Sequence, residues 1–404
     1  MARRLVAGAN GKVTSQVVRI AIAAVALSVC VMIVSMAVII GFKNEIMDKV
    51  VGFGSCVSII NREMSANLET QPIDSNQDFY PSIEQESGIA HIQRYAIKPA
   101  IFKTSAEIQG VVLKGVGPEY DWSFFQKNLV EGSVLDLSDT VRGVLISKKM
   151  SDLLGLGVGD AVVAYFIQNP PRMRKYKVSG IYSTGLEEYD KMFAFVNIAD
   201  VQKLNGWADN QITGFEVMID DFTQLDDMTE LVRDFAGYRI AEDGTMMRVT
   251  SVKDNNSTLF DWLTLTEMNV WVILAIMFFV AFVNMSTAML IIIFEKASMI
   301  GLLKALGATN WLIRKVFVVQ SLYILIKGVV IGNLVAAVLI FVEHYTGIIS
   351  LDPGSYYVDH VPCEPQLWYF VAIDLVTVLV MSVMLVLPSV AISRMQPAKV
   401  ISFK

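Results

Sequence analysis

Lys327 and Asp374 sit inside two of the most apolar stretches of this 404-residue chain, and their type and place demand a chemical reason. A charge at mid-membrane depth costs roughly 3 kcal/mol even on the lenient insertion scale. Such residues pair across helices, snorkel to an interface, or take part in transport, and the sequence leaves these readings open. Other candidate chemistry is thin. GANGKVTS (8–15) lacks the G-x4-G-K-[ST] spacing of a phosphate loop and no strand precedes it, so it reads as a basic cuff before an apolar run. GLGVGD (155–160) lies between a helical and a strand-like pattern and reads as a turn. There is no G-x-S-x-G, no H-E-x-x-H and no nucleophile with a base in a suggestive setting, so no catalytic residue is expected. The pair Asp226–Asp227 reads as a solvated helix face. Three histidines and three cysteines, without zinc-ligand spacing, argue against a metal site. Cys56 and Cys363 could pair or stay free. A net charge of −6 gives no support to nucleic-acid binding.

The elements that must carry these residues are set by hydropathy. The chain is 54% hydrophobic with 18% charged residues and a mean hydropathy of +0.50. A typical soluble domain has about 25% charged residues. Four segments can cross a hydrocarbon core that needs roughly 20 apolar residues: 20–41, 268–294, 316–342 and 366–390. The apolar run of the first is longer than a cleaved leader's, and no small-x-small site follows it, so it reads as a retained anchor. Residues 1–19, the 295–315 link and the 391–404 tail are basic. Residues 42–267 carry 33 acidic against 21 basic side chains, and the 343–365 loop has four acids and no Lys or Arg. The positive-inside rule then puts both termini in the cytoplasm and 42–267 outside. The expected fold is an integral membrane α-helical protein with four transmembrane helices and a large extracytoplasmic α+β domain.

Within that domain, strand-like runs are expected at 55–61, 100–116, 143–147, 160–168, 174–183, 191–197 and 215–220. Helices are expected at 147–156, 198–205 and 223–236, the last with Thr223 as N-cap. The polar stretch 61–87 reads as a loop followed by a short helix. A helix over 255–267 runs into the second span as a stalk. Gly328, Gly332 and Ala336 form a small-xxx-small ridge that lets helices approach closely, within the subunit or at a dimer seam.

Between the second and third spans, Met299, Leu302, Leu303 and Leu306 fall at i, i+3, i+4 and i+7. Gly307 is placed to stop this helix, and Thr309 or Asn310 to cap the next. Periodicity fits a helix resting on lipid headgroups and a helix seated in a protein groove equally well.

The link EKASMIGLLKALGATNWLIRKVFVVQS resembles the corresponding segment of FtsX/MacB-type permeases of ABC transporters. PRMRKYKVSGIYSTGLEEYDKMFAFVNIADVQKL (171–204) and the close LPSVAISRMQPAKVI are similar to the lipoprotein-releasing, LolC/LolE-type branch. The resemblance implies a MacB-like periplasmic domain and a non-catalytic permease of the bacterial inner membrane. A separate cytoplasmic ATPase dimer, which holds the ATP and Mg, would grip Glu295, Lys296, Met299, Leu302, Leu303, Leu306 and Gly307. Movement of the stalks would then expel a lipoprotein taken from between two permease copies, alike or different, to a soluble periplasmic carrier. Gln168, Asn169, Pro170, Pro171, Arg172 and Met173 match the hook that holds such a carrier. Related permeases serving macrolide or peptide efflux, or regulating cell-wall hydrolases, are the alternatives the resemblance leaves.

Overall fold

The computed structural model describes residues 12–63, 71–105, 107–137, 142–237 and 244–390. The basic N-terminal residues 1–11, the tail 391–404 and part of the polar stretch 61–87 lie outside the described residues. In chain order the main elements begin with α1 (Lys12–Gly54), β1 (Val57–Asn61), β2 (Ile89–Lys103), β3 (Ile108–Val116), β4 (Leu129–Gly132) and β5 (Gly143–Ser147). Then come α2 (Lys148–Leu154), β6 (Ala161–Phe166), β7 (Arg172–Tyr182), β8 (Phe193–Asn197), α3 (Ile198–Asn205), β9 (Gly214–Ile219), α4 (Leu225–Val232) and β10 (Met247–Ser251). The chain ends with α5 (Ser257–Glu295), α6 (Ala297–Ala305), α7 (Asn310–Thr346) and α8 (Leu367–Met384). Contacts divide the chain into a membrane unit and an outer unit, the latter made of Asn44–Asp261 with Leu351–Asp359.

Among the described residues, four helices are long and apolar enough to cross a bilayer: Gln16–Gly54, Ser257–Glu295, Asn310–Thr346 and Leu367–Ser389. Their common core includes Val25, Val29, Ile33, Met285, Met289, Phe317 and Leu325. The ridge on α7 packs against α1. A Cβ built on Gly332 would lie 2.7 Å from the Ala26 carbonyl oxygen, and one on Gly328 would lie 2.6 Å from Val25 Cγ1. Ala336 is fully buried. Small side chains let two backbones meet here, which is how helices gain packing energy where lipid supplies no hydrophobic drive.

The outer unit is built on one mixed sheet in the order β10-β1-β9-β2-β3-β8-β5-β7-β4. Strand β6 pairs with both β2 and β7, so β2, β3, β8, β5, β7 and β6 close a ring and leave no edge among themselves. Residues of these strands and of α2 and α3 form the core, with Phe102, Leu113, Ile146, Phe166 and Tyr176 among them. Helix α2 starts where Ser147 accepts the Met150 N–H and ends at Gly155, whose φ is +64°. Helix α3 is likewise bracketed by Asn197 and Gly206.

Three expectations change. The run 100–116 is two antiparallel strands, the first ending at Lys103 and the second starting at Ile108, and the first extends back to Ile89. The 223–236 helix is a 3-10 turn, α4 and a π turn in succession. Its start is capped by Asp221, which accepts the Thr223 N–H, and not by Thr223. The described part of 61–87 holds a two-residue strand, Ile73–Asp74, and a 3-10 turn, Ser82–Gln85.

Candidate functional site

Four groups of residues carry the functional expectations. The first is the segment joining α5 to α7. Glu295 is the last residue of α5, Lys296 is the N-cap of α6 and Leu306 is its C-cap, so the helix is shorter at both ends than 295–306. Gly307 follows at φ +90°. Its N–H bonds the Lys304 carbonyl at 3.0 Å, and the Ala308 N–H bonds that of Leu303 at 2.9 Å. That left-handed turn is open to glycine without strain. Thr309 caps α7 by accepting the Leu312 N–H. The apolar stripe is not one surface. Ile300 and Gly301 point inward, and Met299 is half-buried against the membrane-unit core. Leu302, Leu303 and Leu306 are 57%, 39% and 76% exposed, so the face presented outward is three leucines rather than four residues.

The second is the β6–β7 hairpin. Its register places Phe166 opposite Arg172 and Tyr165 opposite Met173. Arg172 and Met173 therefore belong to the strand, and only Gln168, Asn169, Pro170 and Pro171 of the proposed hook lie in the turn. The Asn169–Pro170 peptide is cis. Gln168 is half-buried, while Asn169, Pro170 and Pro171 are exposed. Ile167 and Met173 are 83% and 63% exposed, and Tyr165 stands beside Met173 across the strands. Arg172 Nη1 donates to the Lys203 carbonyl at 3.2 Å, tying the turn end of the hairpin to α3.

The third is the set of intramembrane polar residues. Asp374 does not pair with Lys327. Asn333 Nδ2 donates to Asp374 Oδ2 at 2.6 Å, while Lys327 Nζ lies 4.6 Å from the centre of the Tyr323 ring, a cation–π contact. Asn333 and Asp374 line a groove of about 780 Å³ whose other walls are apolar, among them Leu334, Phe341 and Phe370. The three cysteines are free and buried, and among the described residues no cluster of His, Cys, Asp or Glu could hold a metal ion.

The fourth group was not visible in the sequence. At the end of α1, Phe53 enters an aromatic box with Phe124, Phe125, Tyr182, Tyr189 and Phe195; its ring lies 5.6 Å from Phe125 and 5.2 Å from Tyr189. Beneath it, Lys114 Nζ donates to the Phe53 carbonyl at 2.8 Å and pairs with Glu216 Oε1 at 2.6 Å. Gln93 Nε2 donates to the other Glu216 oxygen at 2.9 Å. Lys114 and Glu216 are each only 4% exposed. Burial pushes the Glu216 carboxyl up, and Lys114 and Gln93 pull it back. The ammonium thus satisfies one of the last helix carbonyls, where a cation also meets the negative end of the helix dipole. The start of α5 is held to the same unit: Tyr189 donates to Asn256, and Phe260 stacks on Phe222 at 6.2 Å. On α1, Lys49 Nζ donates to the Tyr357 carbonyl at 3.2 Å. Asp190 accepts from the Thr184 hydroxyl at 2.8 Å, and burial pushes its carboxyl up to about 6. Both ends of the outer sequence are therefore clamped by buried polar and aromatic contacts. The signal that could have pointed there is a lone lysine in the apolar strand GVVLKGV, but its partner lies a hundred residues on.

A MacB-like periplasmic core domain model matches residues 20–235, and an FtsX-like permease C-terminal model matches 271–397. The chain is 24% identical over 397 residues to the lipoprotein-releasing system transmembrane protein LolC of Xylella fastidiosa, covering 94% of this chain and 92% of that one. It is 22% identical over 397 residues to the LolE protein of Haemophilus influenzae, with the same coverage. The periplasmic region of MacB from Actinobacillus actinomycetemcomitans aligns with 52% of this chain and 95% of its own, at 16% identity and a TM-score of 0.35.

Proposed function

Because the chain belongs to the family of permeases that join a MacB-like periplasmic core domain to an FtsX-like permease domain, we propose that it extracts lipoproteins from the inner membrane and passes them to a periplasmic carrier. At the coarser level it is the permease subunit of an ABC transporter and a membrane protein. In the proposed reading it is non-catalytic. ATP and Mg are bound by a separate cytoplasmic ATPase dimer, both termini and α6 face that ATPase, and the outer unit lies in the periplasm. The permease works as a pair of copies.

The observation that carries this reading is the outward face of Leu302, Leu303 and Leu306 on α6, a one-turn-and-a-half handle between two spans. An ATPase groove seated on these leucines would pull on the inner ends of α5 and α7. The other end of α5 is held in the outer unit through Asn256 and Phe260, and α1 is held there by Lys114 and the Phe53 box. Displacement of the helices is then delivered to the sheet without loss in soft joints. The exposed Ile167, Tyr165 and Met173 of the β6–β7 hairpin suit a carrier, since two prolines limit the entropy lost on docking. Lipoprotein as cargo rests on the relatives named for lipoprotein release.

The test is co-purification of the solubilised chain with its ATPase, comparing wild type with a Leu303→Asp, Leu306→Asp variant. The expected outcome is an ABC ATPase with wild type and a loss of at least tenfold in the variant, with unchanged thermal unfolding. Mature lipoproteins should accumulate in the inner membrane of variant cells. Equal ATPase recovery from both proteins would return α6 to an interfacial helix on lipid.

A further inference from the structure

Helices α7 and α8 hold three buried side-chain oxygens that no donor reaches. They are Asn333 Oδ1, Asp374 Oδ1 and Thr377 Oγ1, each without a hydrogen-bond partner among the described residues. Asn333 and Asp374 already face each other, joined at 2.6 Å through their other polar atoms. Thr377 lies three residues beyond Asp374 on α8, the spacing at which side chains are neighbours on one helix face. It is fully buried. Its hydroxyl also departs from the usual habit of these helices. Thr266, Thr287, Thr346 and Ser382 each donate to the carbonyl four residues back, the local bond that a helix offers Ser and Thr. Thr377 makes no such bond.

The place makes these oxygens costly. Asp374 is seven residues into α8, about 10 Å along its axis, within a stretch apolar enough to span a bilayer. An ionised carboxyl there costs roughly 3 kcal/mol even on the lenient insertion scale. Each buried oxygen without a partner adds to that cost. Lys327 does not offset it, since its ammonium lies on the Tyr323 ring.

We propose that Asp374, Asn333 and Thr377 form a binding site for a small monovalent metal cation of the sodium type, which ties α8 to α7. Carboxylate, amide and hydroxyl oxygens are the ligands that hard cations take. One carboxylate sets the charge: a monovalent ion closes it to zero, whereas a divalent ion would leave a net positive charge in hydrocarbon. A proton alone does less. On Asp374 Oδ1 it would donate to one neighbouring oxygen and leave the other as it was, while a cation draws on the lone pairs of all three.

The test is thermal unfolding of the full, detergent-solubilised chain, with radiolabelled sodium retention measured beside it. Replacing choline chloride by NaCl at constant ionic strength should raise the melting temperature by about 3 °C or more, saturably, with a stoichiometric amount of sodium retained. Asp374→Asn keeps the shape, removes the charge and should abolish both signals. Thr377→Val should raise the half-saturating sodium concentration by about tenfold or more. Thr287→Val, whose hydroxyl is already bonded within its own helix, should leave it unchanged. Equal melting in the two salts with no sodium retained would overturn the proposal, as would a rise that persists in Asp374→Asn. Stabilisation by falling pH alone, lost in Asp374→Asn, would overturn it too, by making a proton the occupant.

Discussion

Lys114 in the outer unit and Lys327 in the membrane unit are both ammonium groups in apolar surroundings, and their solutions differ. Lys114 is buried with a carboxylate at 2.6 Å, a helix carbonyl at 2.8 Å and three aromatic faces within 5.7 Å. Lys327 is exposed on its helix and meets the face of Tyr323. Asp374, in α8, takes one hydrogen bond from Asn333, while its Oδ1 and the Asn333 Oδ1 are buried without a donor among the described residues. The outer unit satisfies the polar groups around the end of α1 with one another. The membrane unit relies on close packing of small residues, leaves Lys327 on its surface and keeps two oxygens buried without a donor among the described residues.

The comparison breaks first at Lys114. Lys114→Met leaves Glu216 buried and unpaired and should destabilise the outer unit by about 3–5 kcal/mol. The double change Lys114→Met, Glu216→Leu should recover most of that. Urea unfolding followed through tryptophan fluorescence reads both; a loss under about 1 kcal/mol for the single variant would mean the network is not the clamp described. Next comes Gly332→Leu, which forces a side chain into the Ala26 carbonyl and should cost at least about 2 kcal/mol, seen as a lower melting temperature in detergent. A similar change at the exposed Leu334 should have little effect.

Asp190 sharpens the contrast through pH. Its folded carboxyl is raised to about 6 from an ordinary 3.8 by burial, so between those values the folded state binds the extra proton. Stability of the outer unit should therefore fall as pH rises from about 4 to about 6 and level off above, by an amount on the order of 1–2 kcal/mol. Asp190→Asn should flatten that slope in a pH series of unfolding curves. The smallest effect is expected at Lys327. Lys327→Met removes an exposed charge and a cation–π contact and should shift stability by less than about 1 kcal/mol. A large loss there would place Lys327 in a network like that of Lys114.

How legible these features were follows from the range of the forces involved. The four spans, α3 and the β6–β7 hairpin are written in local hydropathy, caps and turn residues, and a reader of the sequence meets them directly. Strand β2 was obscured because its first half, IAHIQRY, mixes polar and apolar residues and its second contains Pro99, although Pro99 sits in a pair with Val112. The α6 stripe was legible as a period of 3.6 but not as a surface, since the period does not say which half of Met299 another helix covers. The Lys114–Glu216 pair and the Phe53 box join residues far apart in the chain, and no local pattern announces such a meeting.

Lys49 has a practical consequence for anyone who would cut the molecule apart. The outer unit is made of two separate lengths of chain, Asn44–Asp261 and Leu351–Asp359, and Lys49, 8% exposed, spends its ammonium on the Tyr357 carbonyl of the second. A secreted fragment trimmed at 44 and 261 would keep Glu45, 3.4 Å from that ammonium, but lose the carbonyl that the ammonium also bonds. A fragment that grafts 351–359 back through a short glycine-serine linker supplies the missing acceptor, and it is the better starting point for expression and crystallisation.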